Sequence, residues 1–108
     1  MTRPPDLTPE QREAALAKAA EARTTRADVR KRLSEGALTL QGVFDEAEEN
    51  ELVAGMKVKA ALTALPGLGK IKTIRLMERL EIAENRRIRG LGSRQRQALL
   101  DAMADRDD

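Results

Sequence analysis

Apolar residues recur at helical spacing through most of the chain, and no convincing strand pattern interrupts them. The first periodic segment, "EQREAALAKAAEARTTRADVRKRL", runs without Gly or Pro to Leu33. Thr8 suits its N-cap, Pro9 its first helical position, and Gln11 can close a capping box. Gly36 is a natural stop. At the helical rise, about 27 residues make a helix of ~40 Å, longer than so small a domain is wide. Its large apolar residues are sparse, Leu16, Val29 and Leu33 with alanines between, so part of it is expected to project or to lie over the surface.

Thr39 caps a short second helix with Leu40, Val43, Phe44 and Ala47 on one face, and Asp45, Glu46, Glu48, Glu49 and Glu51 follow on the other side. The third helix is "MKVKAALTAL", in which Val58, Ala61, Leu62 and Leu65 fall at i, i+3, i+4 and i+7 until Pro66 ends it. "PGLGK" connects it to a fourth helix, "IKTIRLMERL", with Ile71, Ile74, Met77 and Leu80 inward. "EIAENRRIRGLG" reads as an irregular link. Ser93 then caps a fifth helix to about Met103 that buries Ala98, Leu99, Leu100 and Met103. The expectation is an all-α fold of five helices: a long N-terminal helix over 1–36, a helical domain over 37–104, and a frayed acidic tail over 105–108.

Composition sharpens this picture. The 108 residues suffice for one domain with a small core. Phe44 is the sole aromatic, so the core must be aliphatic and packed between helices. The chain has no Cys and no His, which removes disulfides, disfavours zinc, haem and non-haem iron sites, and excludes Ser–His and Cys–His nucleophile pairs. No cofactor and no metal are expected. "MTRPPDLTPEQ" lacks the apolar stretch of a secretory signal, and no apolar run approaches the ~20 residues of a membrane helix. The chain reads as soluble and cytoplasmic, without a membrane partner.

A net charge of +2 hides strong segregation. Residues 1–34 carry a net +3, residues 35–54 a net −6 with no base, residues 55–100 a net +8, and residues 101–108 a net −3. A +8 segment in a nearly neutral chain implies a localised basic surface, the electrostatic footprint of a nucleic-acid binder. The acidic segment lacks the EF-hand pattern and reads as a solvated face turned away from a polyanion.

Two segments concentrate the chemistry. "PGLGKIKT" is not a Walker A loop, because Ala64 stands where the first Gly belongs, Ile71 replaces the Ser/Thr, and no strand precedes it. It reads better as a helix–hairpin–helix turn, with Gly67 and Gly69 permitting a tight turn and Leu68 plugging the core. The turn would then offer free N–H groups to a phosphate, with Lys70 and Lys72 adding charge. The plain alternative is a helix connector, but lysines at a helix N-terminus oppose the dipole and need another reason. The second segment, "NRRIRGLGSRQRQ", packs five arginines into thirteen residues without an acid. Ile88 and Leu91 can anchor it, leaving Arg86, Arg87 and Arg89 to point outward, while Gly90 and Gly92 allow a second tight turn before Ser93. Arg94 falls in a helix's first turn, where a cation is unfavourable unless an anion is near. The alternative here is a solvated or protein-binding patch. On the first helix Arg23, Arg26 and Arg30, with Lys31 and Arg32 beside them, form a second candidate contact. Arg26 and Arg30 cannot support each other at i,i+4, since both are positive. The scarcity of aromatics argues against base-stacking recognition of single strands and favours duplex DNA held by its backbone.

"TPEQREAALAKAAEAR", "MKVKAALTALPGLGKIKTIRLM" and "RRIRGLGSRQRQALL" resemble the actinobacterial integration host factor family of small nucleoid-associated proteins, over nearly the whole span from Leu7 to Met103. The resemblance implies a helix-two-turns-helix DNA-binding domain over 37–104, preceded by a long helix. It implies a non-enzymatic protein of the nucleoid that binds double-stranded DNA with low sequence specificity, bends or compacts it, and supports site-specific recombination. The family's DNA-contacting arginines match Arg86, Arg87 and Arg89, and its turn residues match Gly67, Gly69, Lys70 and Lys72; Gly92 and Arg94 complete the candidate set. A monomer is expected, with recombination or topology proteins as candidate further partners. A structured-RNA or ribosome-associated binder is the alternative reading, and a module whose acidic segment 45–51 docks a basic protein is a third.

Overall fold

In the computed structural model, which describes residues 7–106, the chain folds as α1 (Pro9–Ser34), α2 (Leu40–Glu49), α3 (Glu51–Ala54), α4 (Val58–Ala64), α5 (Gly69–Arg79), a 3-10 turn (Ile88–Gly90) and α6 (Ser93–Arg106). Most of the segment read for a secretion signal, and the last two residues of the acidic tail, lie outside the described residues. α6 runs as far as Arg106, which takes in the first two residues of the tail over 105–108.

The capping box forms as anticipated. Thr8 Oγ1 accepts from the Gln11 N–H at 3.1 Å, and Gln11 Oε1 accepts from the Thr8 N–H at 3.0 Å. Of the residues of α1 only Val29 and Leu33 are buried, and Leu16 is 65% exposed. The N-terminal part of α1 therefore projects, and it stretches the molecule to 55 × 33 × 25 Å. Its C-terminal end packs on α3 and α4. Arg32 fastens this end to α2 through a bidentate pair with Glu46 at 2.7 and 2.9 Å, and it also meets Asp28 at 2.9 Å. The Glu46 hydrogen bonds raise the Arg32 pKa further above its ordinary value, and Arg32 holds the Glu46 carboxyl below the usual range. The acidic segment is thus more than a solvated face, because one of its carboxylates joins two helices.

Six α-helices are present among the described residues where five were expected. The additional one is α3. Asn50 adopts an extended backbone that breaks the acidic helix, and its side chain accepts from the Leu52 N–H at 2.9 Å, so a new turn starts at Glu51. α4 begins at Val58, two residues later than expected, because Met56 is spent on the core and its carbonyl accepts from Ile88. α5 begins at Gly69 rather than Ile71, and its inward face also differs from the one expected. Thr73, Leu76 and Met77 are buried, whereas Ile71, expected inside, is 68% exposed. A threonine was not counted as a core residue. Its hydroxyl is satisfied by the Gly69 carbonyl at 2.6 Å, which removes the usual penalty of burying it. α5 ends in a Schellman arrangement, with Ile82 N–H donating to Met77 O at 2.8 Å and Ile82 closing the core.

The core joins Val29 and Leu33 to Val43, Phe44, Val53, Met56, Val58, Leu62, Met77, Ile88 and Leu99. It is aliphatic apart from Phe44, as the composition required. Arg96 of α6 lies over the Phe44 ring at 5.5 Å from its centroid.

Candidate nucleic-acid interface

Gly67 and Gly69 have φ of 79° and 68°, the left-handed region that favours glycine. Between them Leu68 is buried, so the turn is held by its apolar middle while its two glycines remain at the surface. Open space surrounds the position of a Cβ on either glycine, so backbone conformation rather than internal crowding demands them. Lys70 and Lys72 are both exposed at the start of α5, yet they diverge, since two helical residues are separated by about 200°. Lys70 lines a groove with Arg30, Lys57 and Lys59 over a floor of Ala60, Thr63 and Ala64. Lys72 faces another groove with Leu68, Leu76, Arg79 and Met103, and its Nζ reaches the Gly67 carbonyl at 3.5 Å.

The arginine loop is tied down on both sides of Arg87. Val58 N–H donates to Arg86 O at 3.0 Å and Ile88 N–H donates to Met56 O at 2.9 Å, which makes an antiparallel bridge between Lys57 and Arg87. Ile88 and Leu91 are buried, as their apolar character suggested. Arg87 and Arg89 are exposed, with Arg87 Nη1 donating to the Gly55 carbonyl. Arg86 departs from the expectation of a fully outward side chain. It is half-buried, and its Nη1 donates to Gly90 O at 3.1 Å. Gly90 closes the 3-10 turn, whereas Gly92 lies outside it, just before α6, and neither has a positive φ. A Cβ on Gly90 would sit 3.1 Å from Arg86 Cδ, so room for the arginine stem is what that position supplies. Ser93 is the first residue of α6 rather than its cap. The Gly92 carbonyl accepts the first helical bond, from Arg96, and Gln95 Oε1 reaches back to the Gly92 N–H at 3.3 Å.

Among the described residues the ion pairs are Arg32 with Asp28, Arg32 with Glu46, and Lys59 with Glu84. No described carboxylate therefore forms an ion pair with Arg23, Arg26, Arg30, Lys57, Lys70, Lys72, Arg86, Arg87, Arg89 or Arg94. Arg32 is occupied by its carboxylate partners, and Arg96 lies over the Phe44 ring with its Nε buried and without a hydrogen bond to any described residue. Arg30 alone of the α1 candidates lines the groove, while Arg23 and Arg26 lie further along the same helix stripe.

Lys57 is the residue that sequence reasoning missed. Its backbone pairs with Arg87 and its side chain lines the groove of Arg30 and Lys70, so it joins the arginine loop to the α1–α4 groove. A signal was present. Lys57 is the N-cap of α4, with no acid in the following turn, the same dipole-opposing placement that singled out Lys70 and Arg94.

Residues 33–103 match the model of the S13-like H2TH domain family. The chain is 53% identical over 91 residues to the integration host factor of Streptomyces coelicolor, with 84% of this chain and 85% of that protein covered. It is 54% identical over 97 residues to the integration host factor of Mycobacterium tuberculosis, with 90% and 92% covered. A solved structure of sIHF bound to an 8bp palindromic DNA is similar at a TM-score of 0.77 and 45% identity, covering 80% of this chain and 97% of that one.

Proposed function

The chain belongs to the integration host factor family of actinobacteria, built on an S13-like H2TH domain, and on that footing we propose that it binds duplex DNA as a non-enzymatic architectural protein of the nucleoid. The observation that carries this reading is the set of cations that have no carboxylate partner among the described residues, on the bridged loop and the adjoining groove: Arg86, Arg87 and Arg89 with Lys57, then Arg30 and Lys70. Arginine forks held by a rigid loop suit phosphate oxygens. Backbone N–H groups at the Gly67–Gly69 turn, with Lys70 and Lys72, add a second phosphate contact, and Gly92 and Arg94 at the start of α6 a third. Contacts of this kind position a protein on DNA without reading bases, so binding is sequence-tolerant. The projecting α1, with Arg23 and Arg26 beyond the groove, extends the basic track past the domain over 37–104. A duplex following both surfaces would bend, which is the basis for compaction and for assisting site-specific recombination. The protein acts in the cytoplasm on the nucleoid, as a monomer.

The test is the combined replacement of Arg86, Arg87 and Arg89 by Ala. Affinity for a DNA duplex should fall by at least about a hundredfold, since hydrogen bonds to charged groups contribute about 1.5–3 kcal/mol each. Far-UV circular dichroism should stay unchanged, because buried Ile88 and Leu91 and the Lys57–Arg87 backbone bridge still hold the loop when the Arg86 and Arg87 side-chain hydrogen bonds are lost. A triple variant that binds as the parent does would remove the loop from the site. Competition with structured RNA in the same titration separates the DNA reading from an RNA-binding one.

A further inference from the structure

Among the described residues Ile71 is the most exposed of the large apolar side chains, at 68% against 65% for Leu16 and 52% for Leu7. A single exposed apolar side chain needs no explanation in itself. Its surroundings do. Ile71 stands in the first turn of α5 between Lys70 and Lys72, and Arg75 follows one turn later on the same face. None of these three cations is paired with a carboxylate among the described residues. The two lysines turn toward different grooves, which leaves the isoleucine on the ridge between them. Helical side chains lean toward the N-terminus of their helix, so Ile71 leans toward the Gly67–Gly69 turn and leaves open space over both glycines.

An apolar ridge flanked by cations matches one ligand chemistry closely, a sugar flanked by phosphates. We propose that Ile71 packs against the sugar edge of nucleic acid held at this turn and selects deoxyribose over ribose. This rests on the DNA-binding reading above and names a specificity residue within it. At C2′ deoxyribose presents only hydrogens, which the isoleucine methyls can cover favourably. Ribose presents a hydroxyl there, the group by which proteins tell the two nucleic acids apart. Against Ile71 that hydroxyl loses water and gains no hydrogen-bond partner, so the contact turns unfavourable. The flanking lysines attract either polyanion equally, so the discrimination falls to the residue between them.

The experiment is a set of anisotropy titrations of the full chain with a DNA duplex and an RNA duplex of the same sequence, for the parent, Ile71→Val and Ile71→Ser. The difference in helix form between the duplexes is common to all three proteins, so only the change in preference reports on Ile71. Ile71→Ser should bind DNA about fivefold more weakly and RNA no more weakly than the parent, which narrows the DNA preference by about fivefold or more. Ile71→Val keeps the apolar contact and should retain most of the preference. Thermal melts of the variants should match the parent, since the side chain is solvent-exposed. If Ile71→Ser leaves the DNA:RNA preference unchanged while the parent binds DNA, the inference is overturned and the DNA-binding reading stands. A parent that does not bind DNA overturns both.

Discussion

Gly69 carries two demands in one residue. Its φ of 68° suits glycine, and its exposed backbone at the start of α5 is where a phosphate would approach. Gly69→Ala should lower stability by about 1–2 kcal/mol, the penalty of left-handed backbone for a residue with a Cβ. Because nothing lies within 4 Å of the added atom, no steric term should enlarge that loss. Urea unfolding measures it. Affinity per folded molecule should fall as well if the turn is a phosphate contact; unchanged affinity in this variant and in Lys70→Ala and Lys72→Ala would reduce the turn to a connector. Other residues show how context decides a role. Arg32 and Arg86 are both arginines in basic runs, yet Arg32 is held by two carboxylates and Arg86 by a carbonyl on its own loop.

Among the helices, the junction of α1 with α2 has the clearest energetic signature. Glu46 has a folded pKa below its ordinary value because Arg32 donates two hydrogen bonds to it. Such a group adds stability that is fully present above its unfolded pKa, about 4.3, and is lost as pH falls through the lower folded value. Stability should therefore decline below about pH 4.5 by an amount that Glu46→Gln removes. At neutral pH the same substitution should cost about 0.5–1 kcal/mol, since both side chains remain about one-third exposed. A melting temperature lowered by a few degrees at pH 7, with no difference from the parent near pH 3, is the expected pattern. Equal melting at both pH values would mean that the pair contributes nothing. Lys57 shows the complementary case, in which a short bridge between two non-adjacent segments places a cation beside the arginine loop.

For the molecule as a whole, the near-neutral total is misleading. The acids of residues 45–51 lie on α2 and at the start of α3, while among the described residues the bases of the loop, the groove and the α5 ridge form no ion pair with a carboxylate, apart from Lys59 with Glu84. If about 5–8 phosphates are neutralised, log K should fall against log salt with a slope of roughly −5 to −7. Binding titrations between low and physiological salt measure that slope, and a value near zero would dismiss backbone binding.

Helix content, the caps at Thr8 and Thr39, the plug at Leu68 and the anchors at Ile88 and Leu91 were all legible as local pattern. Each depends on residues a few positions apart, whose spacing sets which of them can meet. The basic loop and the glycine turn were legible for the same reason. The exposure of Ile71 was not, because the inward face of α5 is set by what packs against Thr73, Leu76 and Met77 rather than by the helix's own periodicity. Nor was the break at Asn50, which competes with a helix-compatible run of acids. The position of Lys57 beside Arg87 and Arg30, and the engagement of Arg32 by Glu46, join segments far apart in the chain. Local spacing carries no record of such contacts; they arise when the helices close around a shared core and bring distant side chains within hydrogen-bonding reach.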